Sequence, residues 1–275
     1  MAQVTMAPWA QAEEVLADGA VSFTCSRDSD QWPWLTLDPH DPAVIQTINF
    51  WASYQAGQAR GNWEPGQWTA LTFLEWETGK PGCGHATHGV EDIFEREGKQ
   101  TYRLTFFDDA GALVARMSGT GVVFRNRDFE GWRAEEKERL AGERSTSPFG
   151  FASAESVGAA SEQGSLLAEF EGPDARATSG LITPENGLAP ANPYLSGSGD
   201  HVNATHLAEV VRQFDTLLRG GDKRLPKRGE MRFSHYVELG VPITVSLREG
   251  TDAVTSIEAE VRQGGRLCTT ARFDY

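Results

Sequence analysis

Asp200, His201, Asn203 and His206 crowd one short stretch of this 275-residue chain, and all four side chains can handle protons or oxygens. A carboxylate or an imidazole can activate water or remove a proton from carbon, while Asn203 can help hold an oxygen on which negative charge develops. The stretch runs straight into Leu207, Val210, Val211, Phe214, Leu217 and Leu218, whose spacing predicts an amphipathic helix over 204–219. Asn203 is a natural N-cap and Gly220-Gly221 a stop. The first amides of that helix have no intrahelical partner and point, with the positive end of the dipole, at whatever oxygen sits there. Glu209 follows on the helix, away from the apolar stripe, and adds a carboxylate. The plainer reading is that Asp200 or Asn203 only caps the helix, but capping needs one such residue and four are present.

A parallel arrangement precedes a second predicted helix, over 42–57. Asp38, His40 and Asp41 stand before it, with Asp41 and Pro42 in the order of an N-cap and a first-turn proline. All eight tryptophans lie in the first half. Trp51, Trp68 and Trp76 suit a core, whereas Trp32 and Trp34, in a polar loop ahead of the acid-histidine segment, are candidates for lining a ligand pocket. Lys223, Arg224, Lys227 and Arg228 form the densest basic run, after the second helix, and could receive phosphates or lie solvated on a loop. Cys83-Gly84-His85 with His88, Glu91 and Asp92 offers metal-type donors without a second pair at a recognised spacing, so the reading is a glycine-rich turn and no metal. No G-x-S-x-G occurs to support a serine nucleophile.

Composition narrows the class. A formal net charge of -14 argues against duplex nucleic acid or an anionic membrane as the main partner. No run approaches the roughly 18 apolar residues of a membrane span. Three widely spaced cysteines, Cys25, Cys83 and Cys268, without a secretory leader in the first 20 residues, point to a reducing cytoplasm.

The elements that must position these residues repeat. In the first half come an amphipathic piece over 9–16, a strand over 21–25, the aromatic loop, the helix, strands over 68–77 and 90–97, a hairpin of 101–107 against 112–124, and a charged helical tail over 125–140. Residues 141–164, rich in Ser, Gly, Ala and Glu, read as a linker between a first unit of 1–140 and a second of 165–275. The second unit repeats the order: strand over 165–171, Pro/Gly loop, acid-histidine segment, helix, strands over 231–234 and 243–248, and a hairpin of 254–262 against 266–274. Two tandem α+β units, each a long helix with antiparallel strands, are expected to pair about a pseudo-two-fold axis.

His201-Val202-Asn203 at a helix start resembles the H-V-N-N segment of hotdog-fold acyl-CoA and acyl-ACP thioesterases. Residues 232–245 resemble the pattern R-F-x-x-P-V-x-x-G-D-x-[IL]-x-V of thioesterases, hydroxyacyl-ACP dehydratases and MaoC-like hydratases, with Tyr236 and Val241 in place of its Pro and Asp. Gly199-Asp200 with Asn203 and His206 approximates the hydratase segment G-D-x-N-P-x-H, and Glu209 is similar in role to the helix carboxylate of a second thioesterase subclass. The resemblance covers residues 194–275 and implies a double hotdog acting on an acyl thioester. Hydrolysis is the first reading, hydration or dehydration of a 2-enoyl/3-hydroxyacyl chain the second, and a non-catalytic acyl-binding protein the third. It implies coenzyme A or phosphopantetheine as part of the substrate, met by the basic run, and no separate cofactor. Oligomeric state stays open between monomer and homodimer.

Overall fold

A computed structural model describes residues 8–62, 68–124, 129–144, 148–172, 175–195, 201–249 and 254–275, with only the backbone of Trp68, Phe129, Glu130 and Trp132. Its strands are β1 (Ala10–Val15), β2 (Val21–Cys25), β3 (Trp68–Thr78), β4 (His88–Arg96), β5 (Lys99–Phe107), β6 (Leu113–Phe124), β7 (Ala177–Gly180), β8 (Arg228–Phe233), β9 (Ile243–Leu247), β10 (Ser256–Gln263) and β11 (Arg266–Asp274). The helices are α1 (Pro42–Ala59), α2 (Phe129–Arg139), α3 (Ala154–Val157), α4 (Pro184–Gly187) and α5 (Ala204–Leu218). The strands form one antiparallel sheet in the order β1-β2-β4-β5-β6-β3-β8-β11-β10-β9-β7.

That order carries the repeat seen in the sequence. Outward from the β3–β8 seam, one half runs β3-β6-β5-β4-β2 and the other β8-β11-β10-β9-β7. Alternation drives the strands: along β10 every second residue is buried, so Ile257, Ala259 and Val261 face the helices. Gly264 and Gly265, both at positive φ, close the β10–β11 hairpin in the two-residue turn that needs a left-handed pair. At the seam Gly229 leaves room for the indole of Trp76, since a Cβ there would lie 2.1 Å from Cζ2. The α1 and α5 helices pack against each other inside the curved sheet. Each is buried around its whole circumference over its first turns, from Pro42 to Asn49 in α1 and from Thr205 to Leu217 in α5. This is the pair of tandem units, each a long helix with antiparallel strands, that the repeat predicts.

Two elements differ from expectation. Within the amphipathic piece over 9–16 the chain forms β1 (Ala10–Val15), because the neighbouring β2 offers a paired edge across a tight turn that Asp18 and Gly19 close. Residues 165–171 make only an isolated bridge, Leu167 to Gly180, and the strand that enters the sheet is β7. There Leu166 and Leu167 are both buried and the Leu166 amide bonds the Gln213 side chain, so the segment is tied to α5 as well as to the sheet. The charged tail over 125–140 begins outside the described residues and continues as α2. It docks through a buried pair, Arg133 Nη2 to Glu238 Oε2 at 2.7 Å.

Within the stretch expected as a linker, α3 and residues 158–166 cover the polar face of α5. Their small side chains allow the approach: Gly158 holds a left-handed conformation, and a Cβ there would lie 3.2 Å from Arg212 Nη1 and from Thr216 Cγ2.

Candidate active site

Asp41 caps α1 as its position before Pro42 predicts, with Oδ1 accepting from the Ala43 amide at 3.0 Å. Its Oδ2 accepts from Lys223 Nζ at 3.0 Å and stands 3.9 Å from Arg212 Nε. Arg212 in turn grips Glu209 with two bonds, Nε to Oε2 at 2.7 Å and Nη2 to Oε1 at 2.6 Å. Gln213 adds a third, Nε2 to Glu209 Oε1 at 2.8 Å, and is itself fixed by the Gly164 carbonyl and the Leu166 amide. Helical spacing explains the set: residues three and four apart share a face, so Glu209, Arg212 and Gln213 project together. Two carboxylates and two cations thus alternate between the start of α1 and the flank of α5.

These groups surround a cavity of about 190 Å³. Asp41, Glu209, Arg212 and Lys223 form its polar end, while Leu37, Ala43, Ala159 and Leu195 are among its apolar walls. Arg212 is fully buried, and burial works against its charge, but Glu209 and Asp41 outweigh that and hold its pKa above the ordinary value. Arg212 and Gln213 between them fix the orientation of the Glu209 carboxylate, a group type that can serve as a general base.

The residues first singled out are distributed differently. Asp200 lies outside the described residues. Asn203 caps α5, its Oδ1 accepting from the Thr205 and His206 amides at 3.0 and 3.3 Å. His206 completes a capping box: Nδ1 accepts from the Asn203 amide at 3.1 Å and Nε2 meets the Gly187 carbonyl at 2.7 Å, so both ring nitrogens are engaged. His201 is half-buried, its ring edge-on to Tyr236 at 5.0 Å between centroids. Glu209 lies six residues, or about 9 Å of helix, beyond the Asn203 cap. Of the four proposed catalytic residues that are described, it is the one among the cavity lining.

Trp32 and Trp34 sit in an aromatic cluster, Trp32 against Trp51 at 5.0 Å and Trp34 against Trp9 at 5.2 Å, and neither lines the cavity. The basic run spreads out: Lys223 turns to Asp41, Arg224 pairs with Asp222 at 3.1 Å, the Lys227 amide bonds the Asp274 carbonyl, and Arg228 opens β8 opposite Glu77. Cys83 meets His40 Nε2 at 3.1 Å, and among the described residues no three side chains are arranged to hold a metal.

Burial drives the His206 pKa down to about 4, with the Gly187 carbonyl opposing and His201 adding to the fall. The unfolded chain therefore binds a proton below about pH 6.5 that the folded chain refuses until about pH 4, so stability falls with pH across that window. The expected loss is roughly 3 kcal/mol at its lower end. Urea unfolding of wild type and His206→Gln at pH 7, 5.5 and 4.5 checks this: the variant should lose most of that dependence, and parallel curves refute it.

Counting from the two caps shows that the halves are unequal. Six, nine and ten residues past Asn203 stand Glu209, Arg212 and Gln213; the same steps past Asp41 give Thr47, Phe50 and Trp51. In the sequence Arg212 and Gln213 lie opposite the apolar stripe and look solvated. The signal that could have found them is the i, i+3, i+4 grouping of acid, base and amide on one turn.

No family model matches the sequence, and no curated relative is similar to it in sequence. Similar solved structures exist. The 12:0-ACP thioesterase from Umbellularia californica is 12% identical, with 93% of this chain and 96% of that one covered at a TM-score of 0.55. The pyran synthase domain from module nine of the sorangicin pathway is 14% identical over 98% of each chain, at a TM-score of 0.50. HtdX of Mycobacterium tuberculosis is 10% identical over 93% of this chain and 100% of that one, again at 0.50. Across these sequences the shared property is the arrangement of helices within one long sheet, and the chain has their fold, the hotdog fold in its double form.

Proposed function

We propose that the chain hydrolyses an acyl thioester in the cavity between the start of α1 and the flank of α5. The observation that carries this reading is the placement of the Glu209 carboxylate, held by Arg212, and a partly exposed Lys223 among the lining of the same cavity. Glu209 accepts a proton from water as its oxygen attacks the thioester carbonyl carbon. Lys223, held by Asp41, stabilises the charge that collects on the carbonyl oxygen. Collapse of the intermediate breaks the carbon–sulfur bond, and Glu209 returns its proton to the leaving sulfur, which yields a carboxylic acid and a free thiol and restores the carboxylate. Arg212 and Gln213 orient Glu209. Hydration or dehydration is the second reading; it needs a proton donor for the hydroxyl, and the cavity lining among the described residues offers carboxylates paired to cations and no imidazole.

The solved structures of similar fold include a 12:0-ACP thioesterase and a pyran synthase domain, and this agrees with an acyl thioester carried on coenzyme A or an acyl carrier protein. On this reading no separate cofactor is used, and Arg224, Lys227 and Arg228, on the chain that follows Lys223, receive phosphates of the carrier arm. His201 with Asp200 is the alternative acid-base pair, and Trp32 and Trp34 the alternative acyl lining. A cytoplasmic setting suits the three free thiols. No helix among the described residues is long and apolar enough to cross a membrane.

Incubation with a panel of acyl-CoA and acyl-pantetheine thioesters tests this, with free thiol and product mass as readouts. Thiol release is the expected result. A mass change of one water without thiol release selects the second reading, and binding without turnover selects a non-catalytic acyl-binding protein.

A further inference from the structure

We infer that the cavity takes a short acyl group, of about four to six carbons, and that Leu37 and Leu195 set its length; this rests on the reading of the cavity as a thioester site. A dry void of roughly 150 Å³ holds one benzene, six carbons in all. At about 190 Å³ this cavity therefore holds some seven or eight non-hydrogen atoms. The carbonyl oxygen and sulfur occupy the end formed by Asp41, Glu209, Arg212 and Lys223, where their polarity is met, and only a few carbons of length remain.

Leu37 and Leu195 are the two large aliphatic side chains of the lining. Leu195 is 5% exposed, and Leu37, half-buried, packs on the core from the loop ahead of α1. A buried aliphatic side chain such as Leu195 does not yield to a longer chain without rotamer strain. The opposite side is open, since Ala160 and Lys223 are exposed, and that is where the carrier arm leaves. A twelve-carbon chain, as in the thioesterase from Umbellularia californica, exceeds the space.

The test reads binding and turnover separately. Equilibrium binding of S-butyl-, S-hexyl- and S-dodecyl-coenzyme A, thioethers that cannot be hydrolysed, should favour the two short probes by at least tenfold. Turnover of butyryl-, hexanoyl- and dodecanoyl-coenzyme A should follow the same order. Leu195→Ala and, independently, Leu37→Ala each remove three carbons of wall and should move the preferred length up by two to three carbons. Checking that each variant unfolds cooperatively keeps a folding defect from imitating the effect. Equal or tighter binding of the dodecyl probe by wild type overturns the length assignment, as does an unchanged profile in a folded variant. Short-chain binding without thiol release overturns hydrolysis and leaves the length assignment standing. Binding of no probe overturns both.

Discussion

Replacing Glu209 by Gln is expected to lower kcat by a hundredfold or more, about 3 kcal/mol of barrier, because the amide keeps the shape of the side chain and cannot accept the proton of water. The same change removes the carboxylate from beneath a fully buried guanidinium, with Asp41 then its nearest acid at 3.9 Å. Leaving one member of a buried pair unmatched costs about 3–5 kcal/mol of folding stability. Two effects are therefore superimposed, and a second variant separates them. Adding Arg212→Met to Glu209→Gln removes the orphaned charge, so stability should largely recover while activity stays lost. Steady-state kinetics on the best thioester, normalised to the folded fraction from urea titrations, reads both. If kcat stays within a few fold of wild type in the single variant, Glu209 is not the base.

The second large effect concerns folding alone. Arg133 and Glu238 are buried together, Arg133 Nη2 reaching both carboxylate oxygens at 2.9 and 2.7 Å, and the pair fastens α2 of the first half to a loop of the second. Gln263 secures that loop from behind, accepting from the Glu238 amide and donating to the carbonyls of Glu238 and Val241. Glu238→Ala should cost about 3–5 kcal/mol, since it leaves Arg133 charged and buried. The double replacement Arg133→Met with Glu238→Leu should cost far less, because both desolvation penalties vanish together. Equilibrium unfolding of the two singles and the double closes the cycle. Additive losses would mean that the pair contributes no coupling.

The fold was legible because its signals are periodic. Apolar residues at helical spacing marked α1 and α5, Asp41-Pro42 and Asn203 marked their starts, and glycine pairs marked the hairpin turn at Gly264-Gly265. The site was less so. A binary pattern assigns Arg212, Gln213 and Thr216 to solvent, yet all three are buried, because a serine- and alanine-rich stretch with no period of its own folds over them. The acid-histidine stretch drew the eye because it is dense, and density at a helix start also satisfies a capping box, the use that Asn203 and His206 make of it. Lys223 shows the limit most clearly: its partner Asp41 is 182 residues away, and no local pattern encodes such a meeting.

The inequality between the halves has a consequence for how this chain can vary. In a symmetric homodimer every substitution is made twice, so a change that improves one site is imposed on its twin and on the surface that both share. Here the position of Glu209 corresponds to Thr47, and that of Arg212 to Phe50, within one continuous chain. Each can be altered alone. Fusion thus frees one helix to keep charged chemistry that would be too costly to bury in duplicate, while the other is free to serve only as the wall against which that chemistry is held.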